Sequence, residues 1–175
     1  MKKVLIFLPV ALLLILASSF YHKENAAIHW MTIEQMQEAY SKNPKPILID
    51  VYTSWCGWCK IMERETYTND SVVNFVNTHY YAVKFDAERK DSIIWNGYIY
   101  KYNTQAKANN LAIYLLSGRL SYPTTIFLLA LDAQPASLAG FMKPEQIETP
   151  LRFFSGDVYK GTNYKDFEKN NPPHW

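Results

Sequence analysis

Residues 47–60 read ILIDVYTSWCGWCK, and this stretch decides the fold. It opens with a β-rich, almost continuously apolar run, as expected of a central strand that is covered on both faces. Residues 53–55 then turn the chain, and we predict a helix from Cys56 to about Glu65. The pattern places Cys56 and Cys59 in the first turn of a helix that directly follows a buried strand.

The two cysteines have the spacing of a redox-active pair. At the first turn of a helix, unpaired backbone N–H groups and the positive end of the helix dipole favour a thiolate. The spacing also brings the second sulfur within bonding distance, so one sulfur can attack a substrate disulfide and the other can resolve the mixed disulfide. We predict that Cys56 is the exposed attacking residue and that Cys59 is the shielded resolving residue.

Other roles for this pair remain open at the level of sequence. A purely structural disulfide would close a four-residue loop, which stabilises a fold by only about 2 kcal/mol in the chain-entropy model. A zinc site needs four ligands, and no second cysteine pair exists, so we assign no metal ligands. The histidines show no ligand spacing: His22, His29, His79 and His174. A Cu(I) site that uses the two thiolates alone stays open as an alternative.

The N-terminal residues 1–19 have the form of a secretory signal. Two lysines precede an unbroken apolar run over residues 4–16, and small residues follow up to Ser19. An uncleaved membrane anchor is the alternative, because the run reaches about 17 residues if it extends to Phe20. Export would place the cysteines in a compartment where disulfides persist.

The chain has 175 residues, enough for one ordinary domain and a leader. We assign residues 20–27 to a connector, residues 28–170 to a single domain and residues 171–175 to a loose tail. The formal net charge is only +2, and the lysines are spread along the chain, so a nucleic-acid partner is not expected.

Local signals predict the other elements of the domain. A capping box at Thr32 opens a helix that ends at about Ser41. Asn96-Gly97 between β-rich runs predicts a hairpin over residues 93–100, because a type I′ turn requires positive φ at both central residues. Further helices are predicted over 72–76, over 105–116 and from Pro144, and further strands over 80–85, 123–129 and 137–141. This order indicates an α/β fold.

Two segments resemble the thioredoxin family. Residues 49–60 are similar to the thioredoxin active site, where a strand and a tryptophan precede Cys-Gly-x-Cys-Lys, and Gly57 and Lys60 complete that pattern. Residues 121–125, which read SYPTT, look like the cis-proline loop of thioredoxins. The resemblance implies the thioredoxin fold, with a mixed central sheet flanked by helices. Residues 89–120, which contain the predicted hairpin and helix, depart from the family because they are longer than the thioredoxin connector, and we interpret them as a hairpin-plus-helix insertion before the cis-Pro loop.

The resemblance further implies roles for individual residues. Asp50 lies where the family carries a buried acid, and it is implied to assist proton transfer to or from Cys59. A carboxyl on a buried strand is expected to have a raised pKa, which suits that task. The alternative is an ordinary residue at a strand end. Pro123 is implied to face the cysteines, and Tyr122 to offer its backbone to a bound peptide strand.

More narrowly, residues 55–63 and 66–76 resemble bacterial exported thioredoxin-like proteins and the periplasmic C-terminal domain of the membrane disulfide-reductant transporter. Trp58 departs from thioredoxin by replacing a proline, and Tyr122 by replacing a small or β-branched residue. We hypothesise that Trp55, Trp58 and Tyr122 form an aromatic rim that receives an extended apolar segment of a partner protein. The alternative is that Trp58 only covers one side of its helix.

These features predict an exported, periplasmic thiol–disulfide oxidoreductase, either released from its leader or anchored by it. Its partners would be protein substrates with disulfides or thiols and a membrane or soluble thiol electron donor. No organic cofactor is implied, because the cysteines carry the electrons. Reductase or isomerase activity is favoured over oxidase activity, since the Gly-Trp dipeptide lacks the histidine of strongly oxidising relatives. The alternatives are a redox-gated binding module or Cu(I) metallochaperone without turnover, and a fold relic with a structural disulfide.

Overall fold

The structure is a computed structural model that describes residues 27–156 and 161–175. The predicted leader and most of the connector lie outside the described residues. In the described part, a five-stranded sheet in the order β1-β3-β2-β8-β9 forms the centre of the domain. Its strands are β1 (Trp30–Met31), β2 (Ile47–Tyr52), β3 (Tyr81–Asp86), β8 (Thr124–Leu128) and β9 (Ala136–Ala139).

Helices cover both faces of this sheet. They are α1 (Ile33–Lys42), α2 (Gly57–Glu65), α3 (Asp70–His79), α4 (Asn110–Leu115), α5 (Pro144–Phe154) and α6 (Tyr164–Asn170). Within the described ranges, no helix has both the length and the apolar character that a membrane span requires.

Strand β2 is the central strand, as its apolar run predicts. It pairs in parallel with β3 and antiparallel with β8, so the sheet is mixed. Every residue of β2 except the last, Tyr52, is buried. Because hydrogen bonds on both edges and packing on both faces fix this strand, its end is a firm support for the cysteine segment that follows.

The two faces of the sheet carry separate apolar clusters. Side chains alternate along a strand, so Ile49 and Val51 point to one face while Leu48 and Asp50 point to the other. The first cluster includes Met36 of α1, Leu111 of α4, Ile49 and Val51. The second cluster includes Met62 of α2, Val73 of α3, Ile147 of α5 and Leu48. Asp50 is thus a charged residue on the face that α2, α3 and α5 cover.

The predicted capping box at the start of α1 is confirmed. The Thr32 hydroxyl accepts a hydrogen bond from the Gln35 N–H at 3.2 Å, and the Gln35 side chain accepts one from the Thr32 N–H at 2.9 Å. Two of the N–H groups that a helix start leaves unpaired are thereby satisfied.

The predicted Asn-Gly hairpin is also confirmed. Strands β4 (Ile93–Trp95) and β5 (Tyr98–Tyr100) pair antiparallel across the turn. Asn96 has φ 47° and Gly97 has φ 81°, the two positive values that the type I′ turn requires.

The helix predicted over residues 105–116 is wrong in its first half. Residues 102–109 instead form a second ribbon of two short strands, β6 (Tyr102–Asn103) and β7 (Ala108–Asn109), and only α4 is helical. The Asn103 side chain accepts hydrogen bonds from the backbone N–H groups of Gln105 and Ala106, each at 3.0 Å, which favours a turn over a helix. Lys107 also has φ 53°, a value that no α-helix accommodates.

The tail over residues 171–175 is not loose, contrary to the prediction. The backbone N–H groups of His174 and Trp175 donate hydrogen bonds to Glu148 Oε2 at 2.7 and 2.9 Å. The Trp175 ring packs against Phe75 with ring centroids 5.4 Å apart. A buried acceptor and an aromatic contact together outweigh the polar composition of this segment.

Candidate active site

The cysteine pair lies at the start of helix α2, just after the end of strand β2. Cys56 and Cys59 form a disulfide with their Cα atoms 5.3 Å apart. Cys56 is the N-cap residue of α2, and its sulfur accepts a hydrogen bond from the Cys59 N–H at 3.0 Å. A backbone hydrogen bond from the Cys56 N–H to the Thr53 carbonyl, at 3.2 Å, fixes the turn before it. The Cys56 sulfur thus occupies the position that an N-cap oxygen occupies in other helices.

The prediction that Cys56 is exposed is wrong for the disulfide-bonded state, whereas Cys59 is shielded as predicted. Cys56 is 4% exposed and Cys59 is 7% exposed. The two sulfurs face each other within one turn, so neither side chain extends into solvent. The exposed surface is formed instead by Trp55 and Trp58, at 65% and 60% exposure. Gly57 and Lys60 are exposed beside them.

Asp50 is buried in the middle of β2, at 2% exposure, as the sequence predicts for an acid on a central strand. Burial raises the pKa of its carboxyl above the ordinary value, Lys84 opposes that rise, and Glu63 adds to it. Lys84 lies opposite Asp50 in the β2–β3 register, and its Nζ is 3.1 Å from Asp50 Oδ2. The other carboxylate oxygen, Oδ1, has no hydrogen-bond partner among the described residues, and neither has the buried hydroxyl of Thr53.

Lys84 connects Asp50 to the cysteine helix. Its Nζ is also 3.2 Å from Glu63 Oε1 on α2 and lies 5.2 Å from the ring centroids of both Trp30 and Tyr52. Burial alone would lower the pKa of Lys84, but the carboxylates of Asp50 and Glu63 outweigh burial and raise it. Lys84 therefore stays charged beside the buried acid. Sequence reasoning missed this residue, although a single lysine inside the apolar strand of residues 80–85 is a signal for a buried partner.

The proline loop has the cis peptide bond that the resemblance implies. The Tyr122–Pro123 peptide bond is cis, and the Pro123 carbonyl accepts a hydrogen bond from the Gly140 N–H at 2.8 Å. An open groove of about 280 Å³ lies next to this loop. It is lined by Trp58, Tyr122, Pro123, Gly140 and Phe141.

Two aromatic pairs border the cysteine segment. The ring of Trp55 meets that of Tyr122 edge to face, with centroids 5.9 Å apart, and Trp58 lies 5.7 Å from Phe141. The predicted trio of Trp55, Trp58 and Tyr122 is thus divided between two contacts, and only Trp58 and Tyr122 line the groove. Phe141 was missed as a site residue, because a single phenylalanine at the end of the strand predicted over 137–141 carries no signal for a contact with Trp58.

The fold and the site define a thioredoxin-like protein with a disulfide-forming Cys-x-x-Cys pair. Residues 13–155 match the Thioredox_DsbH family, which is described as "Protein of unknown function, DUF255". The chain belongs to this family, and the predicted membership of the thioredoxin-like superfamily is confirmed.

Parts of this chain are also similar to individual curated proteins. An uncharacterised protein of Caenorhabditis elegans is 28% identical over 120 residues, which cover 67% of this chain and 15% of the relative. The thiol:disulfide interchange protein DsbD of Pectobacterium atrosepticum is 27% identical over 129 residues, which cover 70% of this chain and 19% of DsbD. The chain thus spans less than a fifth of the length of either relative.

A solved structure supports the fold. A thioredoxin from Thermus thermophilus superposes with a TM-score of 0.58 at 13% sequence identity, covering 78% of this chain and 94% of the thioredoxin. The predicted thioredoxin fold is therefore confirmed. The Cys56–Cys59 disulfide at the start of α2 is a group that is chemically able to take part in thiol–disulfide exchange.

Proposed function

We propose that this chain is an exported thiol–disulfide oxidoreductase that exchanges disulfides with protein substrates. The observation that carries the proposal is the position of Cys56 as N-cap of α2, with its sulfur accepting the Cys59 N–H. The same N–H and the helix dipole would stabilise a thiolate at Cys56 once the disulfide is reduced. A structural disulfide would have no need of that position, and it would add little stability.

In the reducing direction, the Cys56 thiolate attacks one sulfur of a substrate disulfide and releases the other as a thiolate. The Cys59 thiol then gives up its proton, and its sulfur attacks Cys56 Sγ. The Cys56–Cys59 disulfide forms, the second substrate sulfur leaves as a thiolate, and the two released sulfurs take up protons. The substrate gains two electrons, and the cysteine pair loses two.

In this proposal Asp50 is the group that accepts the Cys59 proton. Its raised pKa brings proton affinity closer to that of a thiol, as efficient proton transfer requires. Lys84 stabilises the charged form of the carboxylate before the proton arrives. The same groups would return the proton when the pair is reduced again.

The groove beside the proline loop is the proposed site for an extended, apolar segment of the substrate. Trp58, Tyr122 and Phe141 give it aromatic walls, and the backbone of Tyr122 offers hydrogen bonds to a peptide strand. Trp58→Ala is expected to slow exchange with a protein disulfide while exchange with a small glutathione disulfide stays unchanged. Equal rates for wild type and variant on the protein disulfide would contradict this role.

We also propose that the protein acts in the periplasm and that reduction or isomerisation, rather than oxidation, is its direction. The apolar run over residues 4–16 supports export. The absence of a histidine between the cysteines supports the reducing direction. A membrane or soluble thiol donor would then recharge Cys56 and Cys59.

The deciding experiment combines a redox titration with two variants. In a glutathione or dithiothreitol buffer, a reduction potential near about −270 mV supports a reductase, whereas a value near about −120 mV indicates an oxidant. Cys59→Ser is expected to trap a mixed disulfide with protein substrates, and Cys56→Ser is not. Equal trapping by both variants would overturn the assigned roles. A pair that resists reduction well below about −300 mV would indicate a structural disulfide.

A copper titration of the reduced protein tests the alternative of a metallochaperone. Among the described residues, no group of three or more His, Cys, Asp or Glu side chains is arranged to hold a metal ion. Stoichiometric Cu(I) binding that requires both cysteines, together with no turnover of protein disulfides, would favour the binding module over the enzyme.

A further inference from the structure

A pair of buried hydroxyl groups lies on the face of the sheet that carries Asp50. Tyr67 follows helix α2 and is 3% exposed, and Thr125 on β8 is fully buried. Their hydroxyl oxygens are 3.2 Å apart and share one hydrogen bond. The Tyr67 ring is held edge to face against Trp30 at 5.1 Å, so the phenol has a fixed position.

Thr125 is the direct cross-strand neighbour of Asp50 in the antiparallel β2–β8 ladder. Residues that lie opposite each other point to the same face, with Cβ atoms about 4.5–5.5 Å apart. The Asp50 carboxylate also affects Tyr67. Burial raises the pKa of the Tyr67 phenol well above the ordinary value, and the charge of Asp50 adds to the rise. Asp50, Thr125 and Tyr67 therefore form one buried polar group of residues.

The hydrogen-bond inventory of these three residues leaves one donor and one acceptor. Two hydroxyls carry two protons, and the bond between Tyr67 and Thr125 uses one of them. Asp50 Oδ1 is a buried acceptor without a partner among the described residues. A buried carboxylate oxygen without a donor is unfavourable. The remaining hydroxyl proton is carried by the Tyr67–Thr125 pair, and Thr125 lies directly opposite Asp50 in the ladder.

We propose that Thr125, supported by Tyr67, is a positioning residue that hydrogen-bonds to Asp50 Oδ1 while the carboxylate is charged. The phenol donates to Thr125 Oγ1, and the Thr125 hydroxyl donates onward to Asp50. This inference rests on the proposed function of Asp50 as the acceptor of the Cys59 proton. In this inference Thr125 is the donor to Asp50 Oδ1, as Lys84 is the donor to Oδ2.

The consequence for the exchange cycle follows from which form of Asp50 is stabilised. A donor to the charged carboxylate keeps Asp50 ready to accept a proton, so it lowers the pH at which the base form becomes available. Without that donor, Asp50 holds its proton to higher pH and the acid limb of the pH–rate profile moves upward. The other titratable groups that act on Asp50 are Lys84 and Glu63, and Asp50 in turn raises the pKa of the Tyr52 and Tyr67 phenols. None except Tyr67 is altered by the variants below.

The test uses Thr125→Val, Thr125→Ser and Tyr67→Phe in the full chain. Thr125→Val removes the hydroxyl donor at nearly constant side-chain shape, and Thr125→Ser retains a hydroxyl. Tyr67→Phe removes only the phenol hydroxyl that bonds to Thr125. Tyr80→Phe is the matched control, because Tyr80 is also a 3% exposed tyrosine but donates to the Leu151 carbonyl at 2.6 Å, away from Asp50. Circular dichroism establishes that each variant folds.

Two readouts are measured. Infrared difference spectra against Asp50→Asn follow the carboxyl titration of Asp50, and the pH–rate profile of disulfide exchange follows its use. We expect Thr125→Val to move both midpoints to higher pH and to slow exchange about tenfold on the acid limb, the effect of losing one hydrogen bond to a charged group. Thr125→Ser is expected to keep both midpoints at the wild-type pH. Tyr67→Phe is expected to move both midpoints less far in the same direction, and Tyr80→Phe is expected to leave both unchanged.

The outcomes separate this inference from the proposed function. If Thr125→Val and Tyr67→Phe titrate like Tyr80→Phe while Asp50→Asn slows exchange, the hydroxyl pair has no positioning role and only this inference fails. If Asp50→Asn leaves exchange unchanged, the proposed role of Asp50 fails as well. If Thr125→Val does not fold, the comparison of Tyr67→Phe with Tyr80→Phe still tests the inference. Tyr67→Phe midpoints that stay at the wild-type pH would overturn the positioning role of the hydroxyl pair.

Discussion

Asp50 and Glu148 are both buried carboxylates, at 2% and 0% exposure, but their surroundings differ. Glu148 accepts hydrogen bonds from the backbone N–H groups of His174 and Trp175, and Arg152 and the His174 ring lie 3.3 and 2.8 Å from its Oε1. Both of its oxygens are satisfied. Asp50 has Lys84 on one oxygen and no partner among the described residues on the other.

The difference separates a structural charge from a reactive one. Backbone N–H groups are fixed parts of the chain, so their hydrogen bonds to Glu148 tie the C-terminal segment to α5. A buried carboxylate with one unpartnered oxygen favours its protonated form more than a fully hydrogen-bonded one, and groups with perturbed pKa values concentrate at functional sites. Neutral isosteres of the two residues are therefore expected to have opposite effects on stability.

The largest effect is expected from Glu148→Gln. The variant replaces a charged acceptor with an amide whose N–H₂ group faces other donors, so we expect the free energy of unfolding to fall by about 2–3 kcal/mol. Urea denaturation of the disulfide-bonded protein at neutral pH measures it. Glu145→Gln is the control on the same helix: this residue is exposed, and a change within about 0.5 kcal/mol is expected.

If the free energy of unfolding falls no more for Glu148→Gln than for Glu145→Gln, the contrast between Glu148 and Asp50 fails. The charge of Glu148 would then add nothing to its hydrogen bonds with the backbone N–H groups. Proteolysis adds a local measurement. Release of the tail is expected to expose residues 171–175 to carboxypeptidase in Glu148→Gln and not in the control.

Asp50→Asn is expected to act in the opposite direction, with a smaller effect. Since the pKa of Asp50 is raised in the folded chain, the folded state binds more protons than the unfolded state from about pH 4, where unfolded aspartate titrates, up to the folded-state pKa. Wild-type stability therefore falls as pH rises through this window. The asparagine variant has no such loss, so it should be more stable at pH 8, on the order of 1 kcal/mol, and no more stable below pH 4.

Denaturant unfolding of both proteins across that pH range measures the difference directly. An Asp50→Asn variant that is less stable than wild type at pH 8 would contradict the assignment of a raised pKa. It would place Asp50 with Glu148 as a structural charge.

The comparison also marks what the sequence could predict. Strand β2, the cysteine turn, the capping box at Thr32 and the Asn96-Gly97 hairpin all follow from residues within a few positions of one another. The raised pKa of Asp50 follows too, because a carboxyl on a continuously apolar strand has to be buried. These features depend on local chemistry, and local chemistry is what a sequence displays.

Three features that the sequence did not predict depend on contacts between distant segments. Lys84 meets Asp50 only because β3 pairs with β2, and Phe141 meets Trp58 only because β9 ends beside α2. The tail is polar in composition, so its docking on Glu148, 26 residues earlier, has no local signal. The exposure of Cys56 was predicted wrongly because the prediction was argued from the reactive thiolate. The structure holds the disulfide, in which a reactive cysteine can be buried.

The smallest effect is expected from Glu63→Gln, which tests how finely the reactive carboxylate is adjusted. Glu63 lies 3.2 Å from Lys84 through a side chain that is 60% exposed, and its charge contributes to the raised pKa of Asp50. Removing that charge leaves Lys84 to Asp50 alone, so the pKa of Asp50 should fall while stability changes by only a few tenths of a kcal/mol. Infrared titration of Asp50 measures the shift, and Glu65→Gln, on the same helix and paired with Arg64 instead, is the control. No shift, or an equal shift in the control, would mean that Lys84 and burial alone set the proton affinity of Asp50, and an upward shift would contradict the assigned sign of the Glu63 contribution. A downward shift would show that a surface residue of the cysteine helix adjusts the buried acid, an adjustment for which Glu148 has no counterpart because its donors are fixed backbone groups.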